Sequence, residues 1–83
     1  MARKKVQVIE RKLGRERADA QIDLDTGIIE IDHRLKPKAW LSRLVHESLH
    51  HAFPDMDEAP VAAAEKKIAA ILWQNGVRRV HLR

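Results

Sequence analysis

The first third of the chain alternates. In "ADAQIDLD", Ala18, Ala20, Ile22 and Leu24 point one way while Asp19, Gln21, Asp23 and Asp25 point the other. A period of two marks a half-buried strand. "GIIEIDH" continues it, with Ile29 and Ile31 opposed to Glu30 and Asp32. Between the two runs lies "DTG", where Gly27 can take the positive φ of a short hairpin connection. Upstream, Val6 and Val8 in "KKVQVIERKL" predict an earlier strand, joined to the next through "GRER". Residues 5–33 therefore predict three short antiparallel strands.

The period then lengthens. "KPKAWLSRLVHESLHHAF" opens with Pro37, whose fixed φ suits a first helical turn, and sets Leu41, Leu44, Val45, Leu49 and Ala52 on one helical face. "PDMDEAP" interrupts, with Asp55 or Asp57 placed to cap a second helix. In that helix, "EAPVAAAEKKIAAILWQNG", Val61, Ala64, Ile68, Ile71 and Leu72 form the apolar stripe and Asn75-Gly76 the stop. "VRRVHLR" is a tail or a short strand. The expected fold is α+β: a short antiparallel sheet of two to three strands, then an antiparallel pair of helices packed on it.

Length narrows this to one domain, residues 1–83. A chain this short buries only about 60% of the surface its unfolded form exposes, so it gains from an added support. The absence of cysteine removes disulfides and thiolate metal sites, leaving a metal ion or self-association as a homodimer. No apolar run reaches the roughly 20 residues of a membrane helix, and no signal peptide is visible. The expectation is a cytoplasmic protein that makes no use of a membrane.

The charge of +4 is uneven: residues 1–17 hold seven Lys/Arg against two Glu, and the rest hold nine against ten acids. A basic arm can touch nucleic acid. Three aromatics in the whole chain and no recognisable nucleic-acid motif argue against that partner. The arm reads instead as a strand edge whose Lys and Arg discourage edge-to-edge pairing.

The candidate chemistry sits in "RLVHESLHHAF". His46 and His50 are one helical turn apart, so both imidazoles can reach one point, as zinc requires. Glu47 lies around the helix from them, placed to take a proton from a metal-activated water. On a helical wheel His46 falls beside the apolar stripe and His50 nearly opposite it, at the core's rim or beyond. A third ligand would come from Glu58 or Glu65, which share a face of the second helix. Glu65 lies nearer the height of the two histidines if the helices are antiparallel; wheel geometry leaves the choice open with a lean to Glu65.

"LVHESLHHAFPDMDEAPV", with "ILWQNG" after it, resembles the small zincin-type, gluzincin-like metallopeptidases met as short open reading frames in bacteria and their phages. The resemblance spans about residues 28–76. It implies a minimal zincin-like core, Zn2+ held by His46 and His50, Glu47 as general base, and a peptide or protein substrate. The E-x-x-V pattern matches Glu58 and Val61, which makes Glu58 the implied third ligand and Glu65 the alternative. It also implies an extended edge strand, here Gly27–Asp32, to which substrate backbone adds. The chain departs from the pattern in having no Tyr to stabilise an oxyanion, leaving His51, Arg43 or His33 for that role.

Two other readings stand beside the peptidase. In one, zinc merely ties the helices of a binding or regulatory domain, and a fourth protein ligand such as His51 closes its shell. In the other, a basic nucleic-acid-binding module carries incidental histidines and holds no metal. His33 and His81 read as solvent-facing, and Trp40 and Trp73 as packing at the core or its rim.

Overall fold

The computed structural model describes residues 6–13 and 19–79. The "GRER" connection, Ala18 and His81 lie outside the described residues. Among the described residues three strands, β1 (Gln7–Arg11), β2 (Ala20–Asp23) and β3 (Ile28–Asp32), precede two helices, α1 (Pro37–Ala52) and α2 (Glu58–Gln74). The α+β class expected from the sequence is the one observed.

The sheet is mixed, not antiparallel. Its order is β1-β3-β2: β2 pairs antiparallel with β3, while β1 runs parallel to β3 with Gln7 opposite Ile28. The hairpin forms as predicted, and Gly27 turns it at φ 73°. The meander fails at β1, because β3 is the most apolar strand and gains most from neighbours on both sides. Central placement leaves Ile29 and Ile31 fully buried, worth about 1.5–3 kcal/mol each. Residues 27–32 are therefore not an edge; the sheet's edges are β1 and β2.

The cross-strand register groups the core. Ala20 pairs with Ile31 and Ile22 with Ile29, and these four pack with Leu35, Trp40 and Leu44. Alternation along β3 fails at its last residue. Asp32 is buried, accepting hydrogen bonds from the Leu13 amide at 3.1 Å, the Arg34 amide at 2.9 Å and the Arg34 guanidinium at 3.0 and 2.8 Å. The Arg34 hydrogen bonds hold its carboxyl well below the usual range, and the carboxylate ties the chain beyond β1 to the end of β3.

Local signals mark the helix ends. Pro37 sits in the first turn of α1. Asp57 occupies the N-cap position of α2 with no hydrogen bond from its side chain. At the far end Gly76, φ 80°, allows the Val77 amide to reach the Leu72 carbonyl and the Gly76 amide that of Trp73, a Schellman closure. The helices are antiparallel: Ser42 meets Glu65 while His50, two turns further along α1, meets Glu58.

The faces they bury differ from the predicted stripes. α1 buries Trp40, Leu41, Val45, His46 and Glu47, and α2 buries Val61 and Glu65. Leu44 and Leu49 are half-buried and Ala52, Ile68 and Ile71 are exposed; all of these but Ile71 border an open groove that includes Leu41 and Leu72. Helix α1 is gripped on two flanks, whereas α2 packs chiefly on α1. The sheet takes the Trp40 flank of α1, which Glu47 shares seven residues on, and α2 takes the His46 flank. The most apolar arc of α1 falls partly between neither.

Candidate metal centre

Helical spacing sets the first geometry. The rings of His46 and His50 lie edge to face with centroids 4.9 Å apart. Their Nε2 atoms converge on one oxygen of Glu58, at 2.7 Å from His46 and 2.8 Å from His50. The antiparallel turn through residues 53–57 brings the first turn of α2 back over the last turns of α1, which is how Glu58 arrives there. His46, His50 and Glu58 form a group whose ligand atoms all lie within 4.8 Å of one another and could hold a metal ion.

Two imidazole nitrogens and one carboxylate oxygen are a donor set that could hold a metal ion. Ligand atoms about 2.0–2.1 Å from a tetrahedral ion are about 3.3 Å apart. The hydrogen-bonded separations are shorter, so binding would displace the protons and open the group by a fraction of an ångström. Glu58 can supply that movement, since its side chain is 72% exposed. The group contains two nitrogens and one oxygen; among the described residues His51 and His33 stand outside it, and both are exposed.

His46 is not at the rim but buried in the helix seam, with Glu65 behind it. Its Nδ1–H donates to Glu65 Oε1 at 2.7 Å, leaving Nε2 facing Glu58. Glu65 is itself held: the Ser42 hydroxyl donates to its other oxygen, and Arg43 Nη2 does so at 2.6 Å. A buried carboxylate needs such partners. Glu65 thus braces a histidine and is outside the convergent group, which contains Glu58. The brace through Ser42 was not anticipated, although its place one turn before His46 puts it on the same flank.

Electrostatics follow from these contacts. Burial opposes a charge on His46, but the Glu65 hydrogen bond and the charges of Glu58, Glu65 and Glu47 outweigh it, and its pKa is raised. Burial likewise opposes ionisation of Glu65, yet the Ser42 and His46 hydrogen bonds and the Arg43 charge hold its pKa below the usual value. Glu58 is lowered chiefly by the His50 hydrogen bond. Glu47 goes the other way: burial raises its pKa, with the Glu58 charge adding to it and His46, His50 and Arg43 opposing.

Arg43 pairs with two acidic side chains. Besides Glu65 it faces Asp19, just before β2, at 4.0 Å. That contact puts edge strand β2 on the same side of the molecule as the histidines. Trp40 is buried in the core, and Trp73, half-buried, carries the Arg78 guanidinium 3.4 Å over its ring.

Comparison with family models, curated proteins and solved structures found no match to this chain. Among the described residues no helix is long and apolar enough to cross a membrane.

Proposed function

We propose that this protein is a zinc-dependent metallopeptidase with Glu47 as its general base. The observation that carries the reading is the convergence of His46 Nε2, His50 Nε2 and Glu58 Oε1 within 4.8 Å, the two histidines standing on the helix that also buries Glu47 and Glu58 arriving from α2. The three protein ligands found among the described residues would leave a position open, as in catalytic zinc sites. Bound zinc supplies a Lewis acid that polarises a carbonyl and makes water more acidic.

The chain's own groups do the rest. Glu65, fixed by Ser42 and Arg43, keeps the Nδ1–H of His46 and so presents the lone pair of Nε2 to the ligand point. Glu47 takes a proton from the attacking water and passes it to the leaving amine. Substrate backbone is aligned on a sheet edge; with β3 enclosed the edges are β1 and β2, and β2 is the one that packs against α1.

A zinc that only staples the helices is the weaker reading. The Glu65 contacts to Ser42, Arg43 and His46 already link α1 to α2. Metal analysis of the purified protein tests the proposal. The expected result is about one zinc per chain, retained in Glu47→Gln and lost in His46→Ala, with peptide cleavage abolished in both. No zinc uptake by the wild type would end it; zinc uptake with unchanged cleavage in Glu47→Gln would remove the assigned base.

A further inference from the structure

A second feature lies on the same side of the helix seam, toward the start of α1. A cavity of about 610 Å³ opens there between the helices. Ala39, Ala69 and Ala70 give it an apolar surface, and the exposed Lys36, Lys38 and Lys66 also line it. No acidic residue lines it, and none of the three lysines makes an ion pair among the described residues. Three like charges beside an apolar surface repel one another and favour an anionic occupant that also carries aliphatic surface.

The lining distinguishes between classes of anion. Among the described residues it holds no aromatic ring and no arginine, so these offer no platform on which a nucleobase would stack. Lysine stems and alanine methyl groups instead suit small aliphatic side chains. We propose that this cavity docks an acidic peptide segment, with Asp or Glu carboxylates on Lys36, Lys38 and Lys66 and an aliphatic side chain on the alanine surface.

Its position connects it to the metal centre. Ser42 closes the cavity on one side, and its hydroxyl donates to Glu65, which accepts the Nδ1–H of His46. From Ala39 to His46 is two turns of helix, about 10 Å. About three residues of extended peptide cover that distance at roughly 3.3 Å each. Resting on the metallopeptidase reading, the docking cavity defines the substrate class: acidic proteins, with their Asp or Glu about three residues from the bond cut.

The test is binding, measured apart from cleavage. A short fluorescein-labelled peptide of alternating Glu and Val is titrated with metal-free protein at low ionic strength, beside its Gln-for-Glu counterpart and a labelled single-stranded DNA. The acidic peptide is expected to bind at least about tenfold more tightly than the Gln peptide and to weaken as salt is added. The combined Lys36→Ala, Lys38→Ala and Lys66→Ala variant is expected to lose about tenfold in affinity, while Lys67→Ala, one residue outside the lining, leaves it unchanged. Ala70→Glu, which places an acid on the alanine surface, should abolish binding with the lysines intact.

His46→Ala is expected to lose zinc and keep the peptide. That separates the two readings: failure to bind zinc would overturn the metal centre and leave the peptide titration to decide the cavity. Equal binding of the Gln peptide, or insensitivity to both the lysine and the Ala70 substitutions, would overturn the docking proposal. So would DNA that binds more tightly and displaces the peptide from the same lysines.

Discussion

Glu58 and Glu65 lie two turns apart on one face of α2, and each meets a different nitrogen of His46. Their surroundings differ sharply. The Glu65 side chain is 7% exposed and shares its oxygens among Ser42, Arg43 and His46. Glu58 is 72% exposed and shares one oxygen between two histidines. A carboxylate saturated with donors acts as a brace; one held only by groups that can exchange a proton for a metal is free to become a ligand.

The sharpest way to break this contrast is to remove each acid in turn and measure zinc. Glu58→Ala should lower zinc affinity by more than about a hundredfold, as expected for a lost direct ligand, whereas Glu65→Gln should lower it by about 10–100-fold. Equal losses from competition titrations with a chelator would mean that both acids ligate. A stronger effect at Glu65 would reverse the assignment.

Stability should show the opposite order. Glu65→Ala strips partners from Ser42, Arg43 and His46 in the seam and is expected to cost the metal-free protein about 2–3 kcal/mol in urea denaturation. Glu58→Ala, at an exposed pair, should stay within about 1 kcal/mol. If the two variants unfold at the same urea concentration, the buried brace is not a stabilising contact.

Acid and base limits sharpen the comparison further. The folded pKa of Glu65 is lowered, so its stabilising contribution is present above the unfolded value near 4.3 and is lost as pH falls through the folded one. The folded pKa of His46 is raised, so its contribution is full below about 6.5 and is lost as pH rises through the folded value. Both contributions coexist between about pH 4.3 and 6.5. Metal-free stability followed against pH should slope away on both sides of that window, and Glu65→Gln should flatten both slopes. Zinc affinity should run differently, falling on acidification as protons compete with the metal for the ligand atoms.

The smallest expected effects lie outside the group. His51→Ala and His33→Ala should change zinc affinity by less than about twofold, because both side chains are exposed and neither joins the convergent set. A large loss at His51 would indicate a closed four-ligand shell and favour the stapled domain.

Much of this molecule was legible because its signals are local. Alternation in "AQID" and "IIEID" marked two strands, Pro37 and Gly76 marked a helix start and a helix end, and Gly27 marked the turn. The one-turn spacing of His46 and His50 assures that they meet, whatever surrounds the helix. The place of β1 was less accessible. A parallel partner for β3 depends on how residues distant in the chain compete for its flanks, and period-two alternation is the same for a parallel or an antiparallel neighbour.

Burial was misjudged where an element has two neighbours. A helical wheel assumes one apolar face against one partner, yet α1 meets the sheet along the Trp40 flank and α2 along the His46 flank. Asp32 likewise reads as a solvent-facing strand residue until Leu13 and Arg34 are brought to it. The choice between Glu58 and Glu65 belongs to the same class. The sequence by itself determined the elements, the paired histidines and the two candidate acids, because these follow from backbone periods of two and 3.6. Tertiary structure alone decided which acid faces Nε2 and which strand is enclosed, because both depend on lateral contacts between separate elements, for which no local period codes.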